Sequence, residues 1–202
     1  MENATLKGTT TIGLVCKDGV IFAADKRATM GYLIANKDTQ KIYQIDDKMA
    51  ITTAGSVGDA QTLVRWIKSE IVLYKQRGNI TVKGVTTLLS NILAGSKYYP
   101  YLVQLLVGGL DKSPKIYALD AIGGVTEEKA TSTGSGSPIA YGVLETQYKE
   151  GKTIEECIPI ILSALSAAIS RDCGSGDGVD LVTISHSGFK RYTPEEIKNL
   201  KR

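Results

Sequence analysis

Residues 7–13, Lys7-Gly8-Thr9-Thr10-Thr11-Ile12-Gly13, place a glycine directly before three threonines and an apolar run. Threonine is β-branched and suits a pleated surface, so the plain reading is a strand start. The second reading is chemical. A cut between Gly8 and Thr9 would leave a hydroxyl and a free α-amine on one residue. Such an amine titrates near pH ~7.7–8.0 and can accept a proton at neutral pH. A threonine hydroxyl served by its own N-terminal amine is one way to activate a weak nucleophile. Gly8 suits the cut, since it has no Cβ to obstruct a bent peptide.

Other residues with chemical potential are few. Asp25 ends the apolar run 20–24 and is followed by Lys26 and Arg27. A carboxylate there is either a surface ion pair or part of a site. The glycine-rich stretch 171–178 carries Asp172 and Asp177, but it lacks the spacing of an EF-hand calcium loop. Residues 134–138, Gly134-Ser135-Gly136-Ser137-Pro138, are either a linker or a place where backbone comes close to something. Cys16, Cys157 and Cys173 are far apart and odd in number, so they form neither a disulfide framework nor a zinc pattern. Cys16 and Cys157 read as small buried hydrophobes. His186 is the only histidine, which excludes any mechanism needing two, and Ser185 and Ser187-Gly188 around it read as a strand end and turn.

The rest of the chain must position these groups. At 202 residues it suits one domain with a substantial core. The net charge of +3 is spread without a block of like sign, which gives no case for nucleic acid or a membrane surface. No apolar run approaches the ~18 residues of a membrane span. Residues 1–8 are too short and polar for a secretory signal and read as a small removable leader, leaving 9–202 as the domain. The cysteine usage fits a reduced cytoplasm.

Strands are expected over 9–16, 20–24, 41–45, 49–54, 102–109, 115–120, 129–133, 179–185 and 189–192. Lys17-Asp18-Gly19 is a hairpin turn, and the continuous apolar run 20–24 predicts a strand covered on both faces. Residues 28–39 read as loop with a short strand turning at Gly31. Helices are expected over 56–76, 82–96, 139–148 and 153–171, with a short surface helix from Pro194. Ser56 with Asp59 and Thr153 with Glu156 have capping spacing, and Gly78 supplies a stop. The order is strands, two helices, strands, two helices, strands. Two packed sheets with a helix pair on each outer face bury such an arrangement most simply.

Taken together, Gly8-Thr9-Thr10-Thr11, Ala24-Asp25-Lys26-Arg27 and Lys41-Ile42-Tyr43 resemble a proteasome β-subunit. The resemblance extends through Thr53-Ala54-Gly55-Ser56-Val57-Gly58-Asp59-Ala60-Gln61 and Gly134-Ser135-Gly136. It continues in Ala140-Tyr141-Gly142-Val143-Leu144, Arg171-Asp172 and Ser175-Gly176-Asp177-Gly178. It runs from Gly8 to about Pro194, and the short leader is similar to the archaeal type.

The resemblance implies an α+β, four-layer αββα sandwich of the N-terminal-nucleophile hydrolase type. It also implies autocatalytic loss of the leader at Gly8 and Thr9, and threonine-type endopeptidase activity. Thr9 would be the nucleophile and its α-amine the base, while Asp25 would fix Lys41 beside them. A cation beside the amine favours the amine's neutral form. Gly55 would supply an oxyanion N–H, and Ser135, Asp172 and Ser175 would hold the amine. Ala28, Thr29, Thr39, Tyr43, Thr53, Val57 and Gln61 would form the substrate pocket. No metal or other cofactor is implied. The implied partners are a heptameric β-ring of itself or a second β-type chain, α-subunit rings in an α7β7β7α7 barrel, an ATPase ring and unfolded protein substrates. A ring subunit of the same family that keeps its leader, and a same-fold hydrolase of small amides, are the alternatives.

Overall fold

The computed structural model describes residues 8–200, so residues 1–7 of the expected leader lie outside the described residues. Two five-stranded antiparallel sheets carry the fold. The first has the order β10-β1-β2-β11-β12, built from β1 (Thr11–Cys16), β2 (Gly19–Asp25), β10 (Ala130–Thr133), β11 (Val179–Ser185) and β12 (Gly188–Arg191). The second has the order β5-β6-β7-β8-β9, built from β5 (Ile42–Asp46), β6 (Met49–Gly55), β7 (Val103–Leu110), β8 (Pro114–Leu119) and β9 (Val125–Glu128). Helices α1 (Val57–Lys75) and α2 (Val82–Gly95) cover the second sheet, and α3 (Ser137–Gln147) and α4 (Ile154–Arg171) cover the first. The sheets face each other, which gives the αββα sandwich expected from the order of elements.

Three apolar layers follow from this stacking. Ile12, Leu14, Ile21 and Ala23 meet Ile161 and Leu165 of α4. Val20, Phe22, Ala24, Ala50, Leu106 and Val182 fill the space between the sheets. Ile51, Leu105 and Val107 pack under Leu63, Ile67 and Leu89 of α1 and α2. Burying each such large side chain is worth about 1.5–3 kcal/mol. Strand β2 is buried along its whole length, because it sends alternate residues into two different apolar layers. That is the physical reason its sequence is continuously apolar rather than alternating.

Local signals decide the joints. Lys17-Asp18 makes the turn between β1 and β2. Thr153 and Glu156 form the reciprocal cap of α4. Ser56 and Asp59 do not form one: Ser56 makes no side-chain cap, and Asp59 instead accepts the Leu102 N–H at 3.0 Å, tying α1 to the approach of β7. Gly78 donates its N–H to Tyr74 O past the end of α1. Residues 28–36 make two short strands, β3 (Ala28–Met30) and β4 (Leu33–Asn36), turning at Gly31. Strand β9 was not expected, since Val125-Thr126-Glu127-Glu128 is too charged to signal a strand; it is an exposed edge. Cys16 and Cys157 are buried side by side, and the hydrogen bond with Cys157, together with burial, pushes the Cys16 thiol up. His186 is exposed in the turn between β11 and β12. The short α5 (Pro194–Leu200) ends the described chain.

Candidate active site

Adjacent strands bring the N-terminal threonines to Asp25. Thr11 pairs with Ala24, so Thr10 lies beside Asp25: the Thr10 N–H donates to Asp25 Oδ1 at 2.9 Å, and the Asp25 N–H donates back to Thr10 O at 3.2 Å. Lys41, just before β5 in the opposite sheet, donates from Nζ to Asp25 Oδ1 at 2.7 Å. Asp25 Oδ2 accepts the N–H groups of Arg27 at 3.0 Å and Gly176 at 2.9 Å. Asp25 is 0% exposed and Lys41 3%. Four donors satisfy the carboxylate, which is what a buried anion requires. Burial lowers the Lys41 pKa from its ordinary value, while Asp25 and Asp172 oppose that shift. A lysine held so gives up a proton more readily than a surface lysine does.

Thr9 is 5% exposed and stands two residues before the start of β1. Its hydroxyl donates to Gly8 O at 2.6 Å, against the very peptide bond it would have to open. Its N–H donates to Ser135 Oγ at 3.1 Å. Ser135 and Ser175 both donate to Asp172 Oδ2, at 2.6 and 2.7 Å. Gly134-Ser135-Gly136 wraps around the threonines: a Cβ at Gly134 would overlap the Thr9 carbonyl, and one at Gly136 would overlap Thr10 Oγ1. The glycines are therefore needed for close approach, and a flexible linker is not what they provide.

The loop after α4 is fastened from the end of β2. Arg27 Nε donates to Asp177 Oδ2 at 2.6 Å, and another guanidinium N–H donates to Cys173 O at 2.9 Å. The guanidinium holds the Asp177 carboxyl below the usual carboxylate range. Gly174 N–H and Ser175 N–H both bond back to Asp172. Cys173 and Gly174 thus lie in a pinned loop.

A cavity of about 270 Å³ opens beside Gly8 and Thr9. Lys41 and Gly55 line it, as do Ala28, Thr29, Thr39, Tyr43, Thr53 and Val57. Gln61 is not among the lining residues. One position along α1 from the buried, cavity-lining Ala60, its side chain faces solvent. Met30 also lines the cavity, where periodicity gave no hint because it stands on the short exposed β3. Among the described residues, Lys41, which Asp25 pairs, is the only charged side chain in the cavity wall. Gly55 has φ +107°, and a Cβ there would overlap the Leu102 carbonyl oxygen, so only glycine fits at this rim. A smaller hollow of about 110 Å³ lies on the other side of Gly8, against Thr29, Tyr32, Ser135, Asp172, Cys173 and Gly174. The seven expected catalytic residues thus sit around one peptide bond. Arg27 and Thr10 belong to the same cluster; the signal for Arg27 was its place next to Asp25, and for Thr10 its place next to Thr9.

A sandwich of two sheets between helix pairs, with a threonine hydroxyl and its own nitrogen at the head of β1, defines an N-terminal-nucleophile hydrolase fold. The model of the family described as "Proteasome subunit" matches residues 5–184. The chain is 54% identical over 198 residues to the proteasome subunit beta of Methanosarcina thermophila, covering 96% of this chain and 94% of that one. It is 57% identical over 199 residues to that of Methanohalophilus mahii, covering 96% and 95%. With that of Ferroglobus placidus it shares 52% over 202 residues, covering 98% and 96%. The chain belongs to the proteasome subunit family. It is a β-type subunit of the proteasome core, an assembly of α- and β-type rings.

Proposed function

We propose that this chain is a working threonine endopeptidase that frees its own nucleophile. Residues 1–8 are its leader and 9–202 its mature domain. The single observation carrying this is the convergence on the bond between Gly8 and Thr9 of the Thr9 hydroxyl, the buried pair of Lys41 and Asp25, and the set of Ser135 and Asp172.

The hydroxyl oxygen attacks the Gly8 carbonyl carbon, and its proton passes to a base beside it. The C–N bond then breaks, the nitrogen leaves as the Thr9 amine, and the acyl group rests on Oγ as an ester until water hydrolyses it. In turnover the freed amine takes the hydroxyl proton and Oγ attacks a substrate carbonyl. Gly55 donates its N–H to the developing oxyanion, a contact worth ~2.7–4 kcal/mol in comparable sites. Lys41, beside the amine, favours the neutral form that can accept a proton. The rate therefore rises as pH climbs through the amine's pKa. In the cell, the substrates are unfolded proteins delivered in the cytoplasm by an ATPase ring.

Thr9→Ala is expected to abolish both leader removal and peptide hydrolysis in particles assembled with α-type subunits. Intact mass and a fluorogenic peptide assay read the two outcomes. An active Thr9→Ala particle, or an active wild-type particle retaining its leader, ends the proposal. A ring subunit that never cuts would show the leader attached and no hydrolysis. A cavity whose single charged lining side chain, Lys41, is paired with Asp25 also predicts preferred cleavage after apolar residues, and equal rates after acidic, basic and apolar residues in a peptide panel would contradict that.

A further inference from the structure

We propose that Thr10 is a positioning residue whose hydroxyl tunes, through Ser175 and Asp172, the hydrogen-bond chain that holds the Thr9 nitrogen. The inference rests on the threonine-protease reading above and adds a residue to it.

Counting hydroxyl protons fixes which atoms donate. Asp172 Oδ2 receives hydroxyl protons from Ser135 at 2.6 Å and Ser175 at 2.7 Å. Each serine hydroxyl has one proton to give. Ser135 Oγ also lies 3.2 Å from Thr9 O, but the carboxylate at 2.6 Å is the closer and charged acceptor, so its proton goes to Asp172 and its oxygen accepts the Thr9 N–H at 3.1 Å. Ser175 Oγ lies 2.7 Å from Thr10 Oγ1 and, having given its own proton, must accept the threonine's. The chain therefore runs from Thr10 through Ser175 to Asp172, and from the Thr9 nitrogen through Ser135 to the same carboxylate oxygen. Thr10 is 0% exposed and Ser175 1%, so water does not compete. The glycine at position 136 leaves the room this hydroxyl occupies.

Thr10 also stands between two carboxylates. Its main chain exchanges hydrogen bonds with Asp25, which holds Lys41, while its side chain feeds the Asp172 branch. The charged groups around the nucleophile are thus Asp172 through Ser135, Lys41 paired with Asp25, and, further out, Arg27 paired with Asp177. Of these, the Asp172 branch is the one that Thr10 modulates. Linked hydrogen bonds polarise one another. With Thr10 donating, Ser175 gives more strongly to Asp172 and takes up part of its negative charge. Without that donor, Asp172 polarises Ser135 more, and Ser135 becomes a better acceptor for the amine. Better acceptance favours the protonated amine.

The test uses particles assembled with α-type subunits and a fluorogenic peptide. Thr10→Val keeps the shape and removes the hydroxyl. Expected are a kcat about tenfold lower, an unchanged KM, and an acid limb of the pH–rate profile moved to higher pH. Thr10→Ser, which keeps the donor, should return kcat to within about twofold of wild type and restore the pH midpoint. In a Ser175→Ala background, Thr10→Val should shift the midpoint no further, since the two act through one chain. A Thr10→Val particle with wild-type kcat and midpoint, or one that is slow with an unmoved midpoint, overturns the inference while wild-type turnover stands. A wild-type particle without turnover overturns the function itself.

Discussion

Two buried aspartates stand on neighbouring strands, and they live in opposite circumstances. Asp25 ends β2 and receives four hydrogen bonds, one of them from an ammonium. Asp180 lies on β11 beside Ala24, is 6% exposed, and has Arg191 Nε at 3.5 Å. Burial raises the Asp180 pKa, with the Arg191 and Lys26 charges only partly opposing it. Burial alone therefore does not mark a working carboxylate here. What separates the two is how completely the surrounding donors meet the charge, and only the fully met one touches Lys41.

The contrast can be broken first at Asp25. Asp25→Asn leaves the Lys41 ammonium buried without its counter-charge. It is expected to cost about 3–5 kcal/mol of stability and to remove peptidase activity, read by urea unfolding and a peptide assay. A stable, active Asp25→Asn protein would erase the distinction. The matching change on the other strand should do little harm. Asp180→Asn is expected to leave turnover intact and to raise stability at pH 7 by on the order of 1 kcal/mol, because it removes a poorly satisfied anion. A clear loss of stability would mean that the Arg191 contact matters more than the desolvation.

The smallest effect is a slope. The folded pKa of Asp180 lies above its ordinary 3.8, so the folded state binds the extra proton in the window that opens upward from there. Stability from this group is then present at low pH and is lost as pH rises through the window. Urea midpoints of wild type and Asp180→Asn measured from pH 4 to 7 should diverge with increasing pH. Parallel curves would refute this assignment.

Much of this was legible in the sequence, for identifiable reasons. The continuous apolar run of β2 announced a strand buried on both faces, and Thr153 with Glu156 announced a helix start. Thr9, Asp25, Lys41, Ser135 and Asp172 were named through the family resemblance, and each sits at or just beyond an element end. Other features depend on tertiary partners and left no local trace. Asp59 has capping spacing but is drawn to the Leu102 N–H across a loop. Gln61 and Ala60 differ by one position, and only the helix's rotation decides which faces the cavity. Nothing in a row of threonines says that the second one donates to a serine 165 positions away.

One covalent joint has a mechanical consequence. Strand β9 forms an edge of one sheet and β10 an edge of the other, with Lys129 alone between them. A single residue stitches the rims of the two layers together, and its carbonyl is also bonded to Val15 N–H at 2.8 Å. Thr9 and Asp25 ride on one layer, while Lys41 and Gly55 ride on the other. The stitch limits how far the layers can slide at that rim, and the packed layer between them adds to this, so the alignment of Thr9 and Lys41 draws on the rim as well as on the site. Lengthening that seam by a residue would leave every proposed catalytic side chain in place in the sequence while loosening the registration that brings them together.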